Sequence, residues 1–284
     1  MNKTILLCFI LVCVFRDLFS QLPVKFFPDD SQIQFFKSQE KEPRFGILYY
    51  PSNENMKFDI GLPINILKFQ INEHSYLTSG LQTSIRILSK NYSEKRFQID
   101  GMDGTLGGFV TYTMNENKNQ HIFRLRINHV SSHLVDGHWN SSTNNWISRH
   151  PLPYTQDYFE FAYLKNINQV HGLIRYMSSI GYSVFVRPSE IKRLIFNGSF
   201  EYYFKFFSTE ILELKFTPLI SYNLELNGNT NYKVNHSLFG GLKLGELLGK
   251  GIIFYVSYYS GNNFFYQYYN ESFHNSGFGF LIDY

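Results

Sequence analysis

Apolar and polar residues alternate along most of this chain with a period of two. The clearest stretches are His121 to Asn128, Phe200 to Phe206 and Ile211 to Asn227. Since successive side chains of a strand point to opposite faces, each stretch predicts a β-strand with one apolar and one polar face. Such strands fit either a β-sandwich or a membrane β-barrel. In a barrel, the residues expected on the outer surface include Phe123, Leu125, Ile127, Leu212, Leu214 and Phe216.

Strand length and aromatic content favour the barrel. The segments are about 9–18 residues long, which suits a tilted membrane strand better than the usual soluble strand of about 5–6. The chain has 29 Phe, 21 Tyr and 2 Trp, which make up 18% of its residues and fit interfacial aromatic girdles. The alternating C-terminal strand carries Phe278, Phe280, Ile282 and Tyr284 on one face. This terminus resembles the assembly signal of bacterial outer-membrane barrels, which implies the barrel assembly machinery as a partner.

About twelve strands are predicted, and bacterial single-chain barrels have an even number. The candidate strands are 44–50, 56–71, 75–88, 97–114, 121–138, 156–167, 169–185, 196–207, 211–228, 231–249, 251–267 and 276–284. We therefore expect an all-β fold, an antiparallel transmembrane β-barrel over residues 43–284. Residues 21–42 form a leader before it, in which Asp30 and Ser31 are expected to cap a short helix running to about Glu40.

Residues 1–20 have the pattern of a secretory signal peptide. Lys3 precedes an apolar run from Ile5 to Phe15, which is too short to cross a bilayer core of about 30 Å as a helix. Ser20 supplies a small residue before a plausible cleavage point. We therefore expect export, with the bacterial outer membrane as the destination and its lipids as the surroundings.

Charge and cysteine content exclude several functions. The 26 basic and 23 acidic residues give a net charge of +3, which indicates no nucleic-acid partner. Both cysteines, Cys8 and Cys13, lie in the signal peptide, so the mature chain has no disulfide and no Cys-ligated zinc. Asp136 and Asp157 flank the long polar loop and, with loop carbonyls, are the candidate ligands if calcium is bound. Otherwise no metal or cofactor is expected.

The polar faces carry charges of both signs. The residues expected to face the interior are Arg86, Arg124, Arg126, Arg175, Asp59, Glu201, Glu213 and Glu225. Because twelve strands leave little free bore, this network favours a plugged interior over solute selection. A small passive pore is the alternative, and it would require an open lumen.

Several short motifs resemble those of one known group. They are Phe26-Phe-Pro-Asp-Asp, Pro43-Arg-Phe-Gly, His129-Val-Ser-Ser-His and Arg187-Pro. Together they resemble a family of bacterial outer-membrane proteins catalogued as a domain of unknown function. The resemblance covers most of the mature chain and implies an outer-membrane barrel of unassigned role.

His129-Val130-Ser131 also resembles the His-x-Ser motif of outer-membrane phospholipase A and of the lipid A deacylase barrel. By parity, His129 and Ser131 face outward, about 6.6 Å apart along the strand. A neutral His129 would accept the proton of the Ser131 nucleophile, and the outward-facing Asp157 would orient the imidazole. A structural or binding role is nevertheless favoured, because polar residues are common where a barrel strand enters the headgroups. Acyl hydrolysis of phospholipid or lipid A is the alternative that these residues support.

Overall fold

The computed structural model describes residues 24–28, 35–91, 97–135, 138–147, 149–207, 209–211 and 214–283. The expected signal peptide and the predicted helix cap at Asp30 and Ser31 lie outside this part of the chain. Asp136, Leu212, Glu213 and Tyr284 also lie outside it.

Twelve antiparallel strands form a closed barrel, which confirms the predicted fold class and strand number. The strands are β1 (Phe45–Tyr50), β2 (Asn55–Asn72), β3 (Ser75–Asn91), β4 (Phe97–Glu116), β5 (Asn119–Leu134), β6 (Tyr154–Asn168), β7 (Gly172–Arg187), β8 (Leu194–Phe204), β9 (Leu214–Asn227), β10 (Val234–Gly245), β11 (Gly251–Asn262) and β12 (Ser272–Asp283). Each strand pairs with the next along the chain, and β12 pairs with β1 to close the sheet. Closure leaves no unpaired edge, as hydrocarbon surroundings require.

Several shorter elements lie outside the twelve barrel strands. Val24–Phe26 pairs with Leu67–Phe69 of β2, Trp139–Asn140 pairs with Asn145–Trp146, and Thr209–Ile211 pairs with β9. Single 3-10 turns occupy Lys205–Phe207, Gly228–Thr230 and Tyr266–Tyr268. No helix in the described part of the chain is long and apolar enough to cross a membrane.

The short helix predicted up to Glu40 is not found in residues 35–40, its described part. Its backbone amides bind the barrel wall instead. Lys37 N donates to Glu201 at 2.9 Å, and Ser38 N donates to Ser221 Oγ at 3.3 Å. These amides are therefore not available for the successive i−4 bonds that an α-helix requires.

The two faces of the wall separate as the alternation predicts. On β5, Leu125 and Ile127 are 50% and 52% exposed on the outside. Arg124 and Arg126 are 1% and 4% exposed and face the interior. The same parity places Phe216 of β9 outside, opposite the buried Thr217.

The two ends of the barrel differ. Tight turns such as 73–74 and 117–118 lie at the end where β1 begins, which we call the short-turn end. The connections 135–153 and 263–271 lie at the other end, the long-loop end. Outer-membrane barrels show the same asymmetry, with short periplasmic turns and longer extracellular loops.

Two segments contact side chains that face the interior. One is residues 35–44, the N-terminal segment, and the other is residues 263–271, the inner loop. The strand predicted over 251–267 ends earlier, at Asn262. Beyond it, the Phe264 carbonyl accepts from Arg86 at 2.7 Å and Tyr266 N donates to Asp103 at 3.2 Å, so this backbone binds the inner wall instead of continuing the sheet.

Candidate functional site

The outer face of β5 changes from apolar to polar near the long-loop end. Leu125 and Ile127 are followed on the same face by His129, Ser131 and His133. On the neighbouring strand β6, Phe159 is followed by Asp157 and Thr155 in the same direction. The period of two thus gathers the predicted residues into one polar patch beside the apolar outer surface.

His129 and Asp157 are direct cross-strand neighbours. His129 Nδ1 lies 2.6 Å from Asp157 Oδ1, and their side chains are 56% and 40% exposed. If the Nδ1 proton is donated to the carboxylate, Nε2 of the neutral imidazole is left as a proton acceptor. The structure therefore brings together the residues predicted as base and orienter.

Ser131 lies on the same outer face, but no hydrogen bond joins it to His129 in the described structure. Its cross-strand neighbours are Gly104 on β4 and Thr155 on β6. Because Gly104 has no side chain, the Ser131 hydroxyl is open on that side, and a Cβ at position 104 would lie 3.6 Å from Oγ. Ser131 is thus partly exposed on the outer face, beside His129 but not hydrogen-bonded to it.

The remaining predicted groups near this patch have other roles. Glu160 faces inward, as predicted, and binds arginines inside the barrel. His133 is exposed beyond Ser131. The described residues contain no group of three or more His, Cys, Asp or Glu placed to hold a metal ion. The calcium hypothesis depends on Asp136, which lies outside those residues.

The densest electrostatic cluster lies inside the barrel. Glu42 of the N-terminal segment contacts Arg124 at 2.6 Å and Arg126 at 2.9 Å. Glu160 contacts the same two arginines, at 3.1 and 2.9 Å. All four side chains are at most 4% exposed, so each charge is compensated away from bulk solvent.

Further ion pairs attach the N-terminal segment around the wall. Lys37 Nζ lies 2.6 Å from Asp283 of β12, and Lys41 Nζ lies 2.7 Å from Glu225 of β9. Glu40 contacts Lys57 of β2 at 2.5 Å, and Arg44 contacts Asp59 of β2 at 3.0 Å. Aromatic contacts add to these, with the Arg175 guanidinium 4.6 Å from the Phe36 ring centre.

The inner loop is held by hydrogen bonds to charged and neutral groups and by aromatic packing. Gln267, which is 1% exposed, donates to the carbonyls of Ser132 at 2.8 Å and Leu152 at 2.7 Å. Its side-chain oxygen accepts from Leu152 N at 2.8 Å. Tyr266 stacks on Tyr154 with ring centres 4.4 Å apart. A single glutamine therefore joins the inner loop to both β5 and the loop before β6.

Sequence reasoning missed Glu42 and Gln267 as interior anchors. A signal existed for the first, because the adjacent inward residues Arg124 and Arg126 bring more positive charge than Glu160 alone balances. A signal existed for the second in the run Phe264–Tyr269, where five aromatic residues interrupt the period of two.

Comparison with known proteins identifies a family but no activity. The family model described as "Protein of unknown function (DUF1207)" matches residues 69–284. No curated protein has a sequence that matches the chain. Among solved structures, the β domain of the Bordetella autotransporter BrkA is similar, with 9% identity, a TM-score of 0.41 and coverage of 86% of this chain and 100% of that one. The translocator domain of the autotransporter NalP from Neisseria meningitidis has 9% identity, a TM-score of 0.38 and coverage of 87% of this chain and 90% of that one.

Proposed function

This chain belongs to the DUF1207 family of proteins of unknown function, and from its geometry we propose an integral outer-membrane barrel whose interior is closed to solutes. The observation that carries the proposal is the docking of Glu42 between Arg124 and Arg126. Removing one partner from such a buried cluster is costly, because it leaves an uncompensated charge. The N-terminal segment is therefore a fixed part of the interior.

The size of one cavity between the segments and the wall supports the same conclusion. A cavity lined by residues including Gln39, Glu40, Arg126 and Tyr266 measures about 20 Å³, which is room for roughly one water molecule. The inner loop closes the long-loop end, where residues 263–269 are all buried. Twelve strands leave little bore to begin with, and these two segments occupy it.

The outer surface supports residence in the outer membrane. Val256 and Phe254 are 63% and 54% exposed on the outside of β11, and Leu106 is 60% exposed on β4. So many exposed apolar side chains on one strand wall indicate that hydrocarbon surrounds it. The outer-membrane lipids are therefore the proposed surroundings of the barrel.

Conductance in planar lipid bilayers tests the closed interior. The refolded wild-type protein is expected to give no steady ion current and no uptake of small sugars in liposome swelling. A double variant, Glu42→Ala with Gln267→Ala, removes one anchor from each segment and is expected to give intermittent current. Steady conductance by the wild type would show a passive pore and overturn the proposal.

A second candidate function is acyl hydrolysis, which the His129–Asp157 hydrogen bond favours. In this mechanism Ser131 Oγ attacks an ester carbonyl while Nε2 of His129 takes its proton. His129 then returns the proton to the leaving alcohol, and water releases the acyl group in a second step. Asp157 holds the imidazole in the required tautomer.

The test is turnover of phospholipid and of lipid A by the purified, refolded barrel, with and without calcium. Release of fatty acid that disappears in Ser131→Ala would establish the hydrolase. If wild type and Ser131→Ala release none, or equal amounts, the serine mechanism is excluded. Neither outcome bears on the closed interior, because the two sites lie on opposite faces of the wall.

A further inference from the structure

A groove crosses the outer surface of β9 to β12, on a part of the wall separate from the His129 patch. Its volume is about 500 Å³, and its lining includes Ile220, Leu238, Gly240, Val256 and Phe278. The four apolar side chains are 45–63% exposed, so the groove opens outward, toward the proposed hydrocarbon.

Gly240 leaves a recess in the floor of the groove, because it has no side chain. A Cβ at this position would meet only Val256 Cγ2, at 3.9 Å, so the space above the glycine is empty. Neighbouring outward positions on β10 are Leu238 and Leu242, which stand on either side of this gap. The floor is thus a recess in an otherwise continuous layer of large apolar side chains.

A row of polar side chains borders the groove toward the long-loop end. His236, Ser260 and His274 are register neighbours on β10, β11 and β12. Ser260 Oγ lies 2.9 Å from His274 Nδ1, and His236 Nδ1 lies 2.6 Å from Tyr222 OH. Each residue stands two positions beyond a lining residue, namely Leu238, Tyr258 and Ser276. Apolar recess and polar row therefore form one continuous surface.

We propose that this surface binds one lipid molecule of the leaflet at the long-loop end, with an acyl chain in the groove and the headgroup phosphate at the polar row. The recess accepts a flexible hydrocarbon chain by filling space that a flat apolar wall does not offer. Imidazole and hydroxyl groups donate hydrogen bonds to phosphate oxygens, and such charge-assisted bonds are stronger than neutral ones. The inference rests on the membrane location in the proposed function, not on the closed interior.

Native mass spectrometry of the detergent-purified barrel with added phosphatidylglycerol tests the proposal. The wild type is expected to retain one lipid at low lipid concentration. Gly240→Phe fills the recess and should weaken retention. His236→Ala with His274→Ala removes donors to a charged group and should weaken it about tenfold. Diacylglycerol, which lacks the phosphate, should bind the wild type as weakly as phosphatidylglycerol binds this double variant.

Gly198→Phe is the matched control. Gly198 faces outward on β8, and no atom lies within 4 Å of a Cβ placed there, so the variant adds the same ring to the outer face away from the groove. It should retain lipid like the wild type. Equal retention by Gly240→Phe, equal binding of diacylglycerol, or a wild-type dimer that Gly240→Phe dissociates would overturn the proposal. Conductance measured on the same samples reports separately on the closed interior.

Discussion

The carboxylate of Glu42 lies 2.6 Å from the guanidinium of Arg124, and the two side chains are 2% and 1% exposed. They are 82 residues apart in sequence, one on the N-terminal segment and the other on the fifth strand. This contact links the segment before the barrel to the middle of its inner wall.

Glu42→Gln should release the N-terminal segment without unfolding the barrel. Arg124 and Arg126 keep Glu160 but lose one of two carboxylates, and breaking a buried ion cluster costs up to about 3–5 kcal/mol. In the docked segment Lys37 is buried and Lys41 is partly buried. Limited trypsin digestion should therefore cut faster at both lysines when the segment is released. Glu73→Gln, in an exposed turn, is the control and should digest like the wild type. An unchanged rate in Glu42→Gln would contradict the anchoring role.

Gln267→Ala should loosen the inner loop. The variant loses three hydrogen bonds to the backbone of Ser132 and Leu152, which together weaken loop docking by about 2–4 kcal/mol. Chymotrypsin should cut the aromatic run Phe264–Tyr269 faster in this variant. Asn270→Ala changes an exposed residue of the same loop and should have no effect. Equal protection of both variants would contradict the role of Gln267 in holding the loop.

Ser131→Ala should leave stability unchanged to within about 0.5 kcal/mol, because it removes a hydroxyl from the outer surface without creating a core cavity. If the protein is a hydrolase, the same change should lower the rate by several orders of magnitude. His129→Ala should be similarly damaging, and Asp157→Ala less so, because an orienter does not react itself. Ser178→Ala, an exposed outward serine on β7, is the control for both measurements. Loss of hydrolysis in that control would argue against a specific nucleophile.

Leu125→Arg should destabilise the barrel by about 2–4 kcal/mol in lipid bilayers, since its outward position is expected near the bilayer midplane. Reversible refolding in lipid vesicles measures this free energy. Val170→Arg lies in the turn between β6 and β7, where the side chain is 79% exposed, and should cost little. A small effect at Leu125 would mean that water, not hydrocarbon, surrounds the outer face.

Deletion of residues 282–284 should block assembly in cells while still allowing refolding in detergent. Ile282 pairs with Ile252 and Phe45 and Asp283 pairs with Gly251, so the truncation removes two register pairs with β11 and one with β1. Heat-modifiable migration of membrane fractions measures assembly. Asp283→Asn is the control, because it removes the ion pairs of Asp283 but keeps the terminal residues. This variant should assemble normally. Normal assembly of the truncated chain would contradict the signal.

The barrel wall was predictable because its strands place apolar side chains outside and charged side chains inside with a strict period of two. Leu125 and Ile127 alternate with Arg124 and Arg126 so regularly that strand and facing both follow from the sequence. The ends of strands follow less well, because polarity at the headgroups is compatible with strand or loop. The predicted strand over 121–138 thus ends at Leu134.

The interior was harder to predict, since residues 35–44 and 263–271 have no periodic pattern and depend on contacts with distant strands. The Glu42 position is determined by arginines far away in sequence. The polar patch on the outer face was partly predictable. Parity predicted the meeting of His129 with Asp157, but the rotamer of Ser131, which depends on local packing, was not predictable from spacing.

The N-terminal segment has a second role where β1 pairs with β12 and closes the barrel. β1 has six residues and pairs with β12 over Phe45–Tyr49 only, so the first and last strands share the shortest ladder between neighbouring strands of the barrel. Lys37 holds β12 through Asp283, while Glu40 holds β2 through Lys57. The segment thus connects β12 and β2, the two strands on either side of β1, where the barrel closes. Withdrawal of the N-terminal segment from the interior should therefore also weaken the pairing of the first strand with the last.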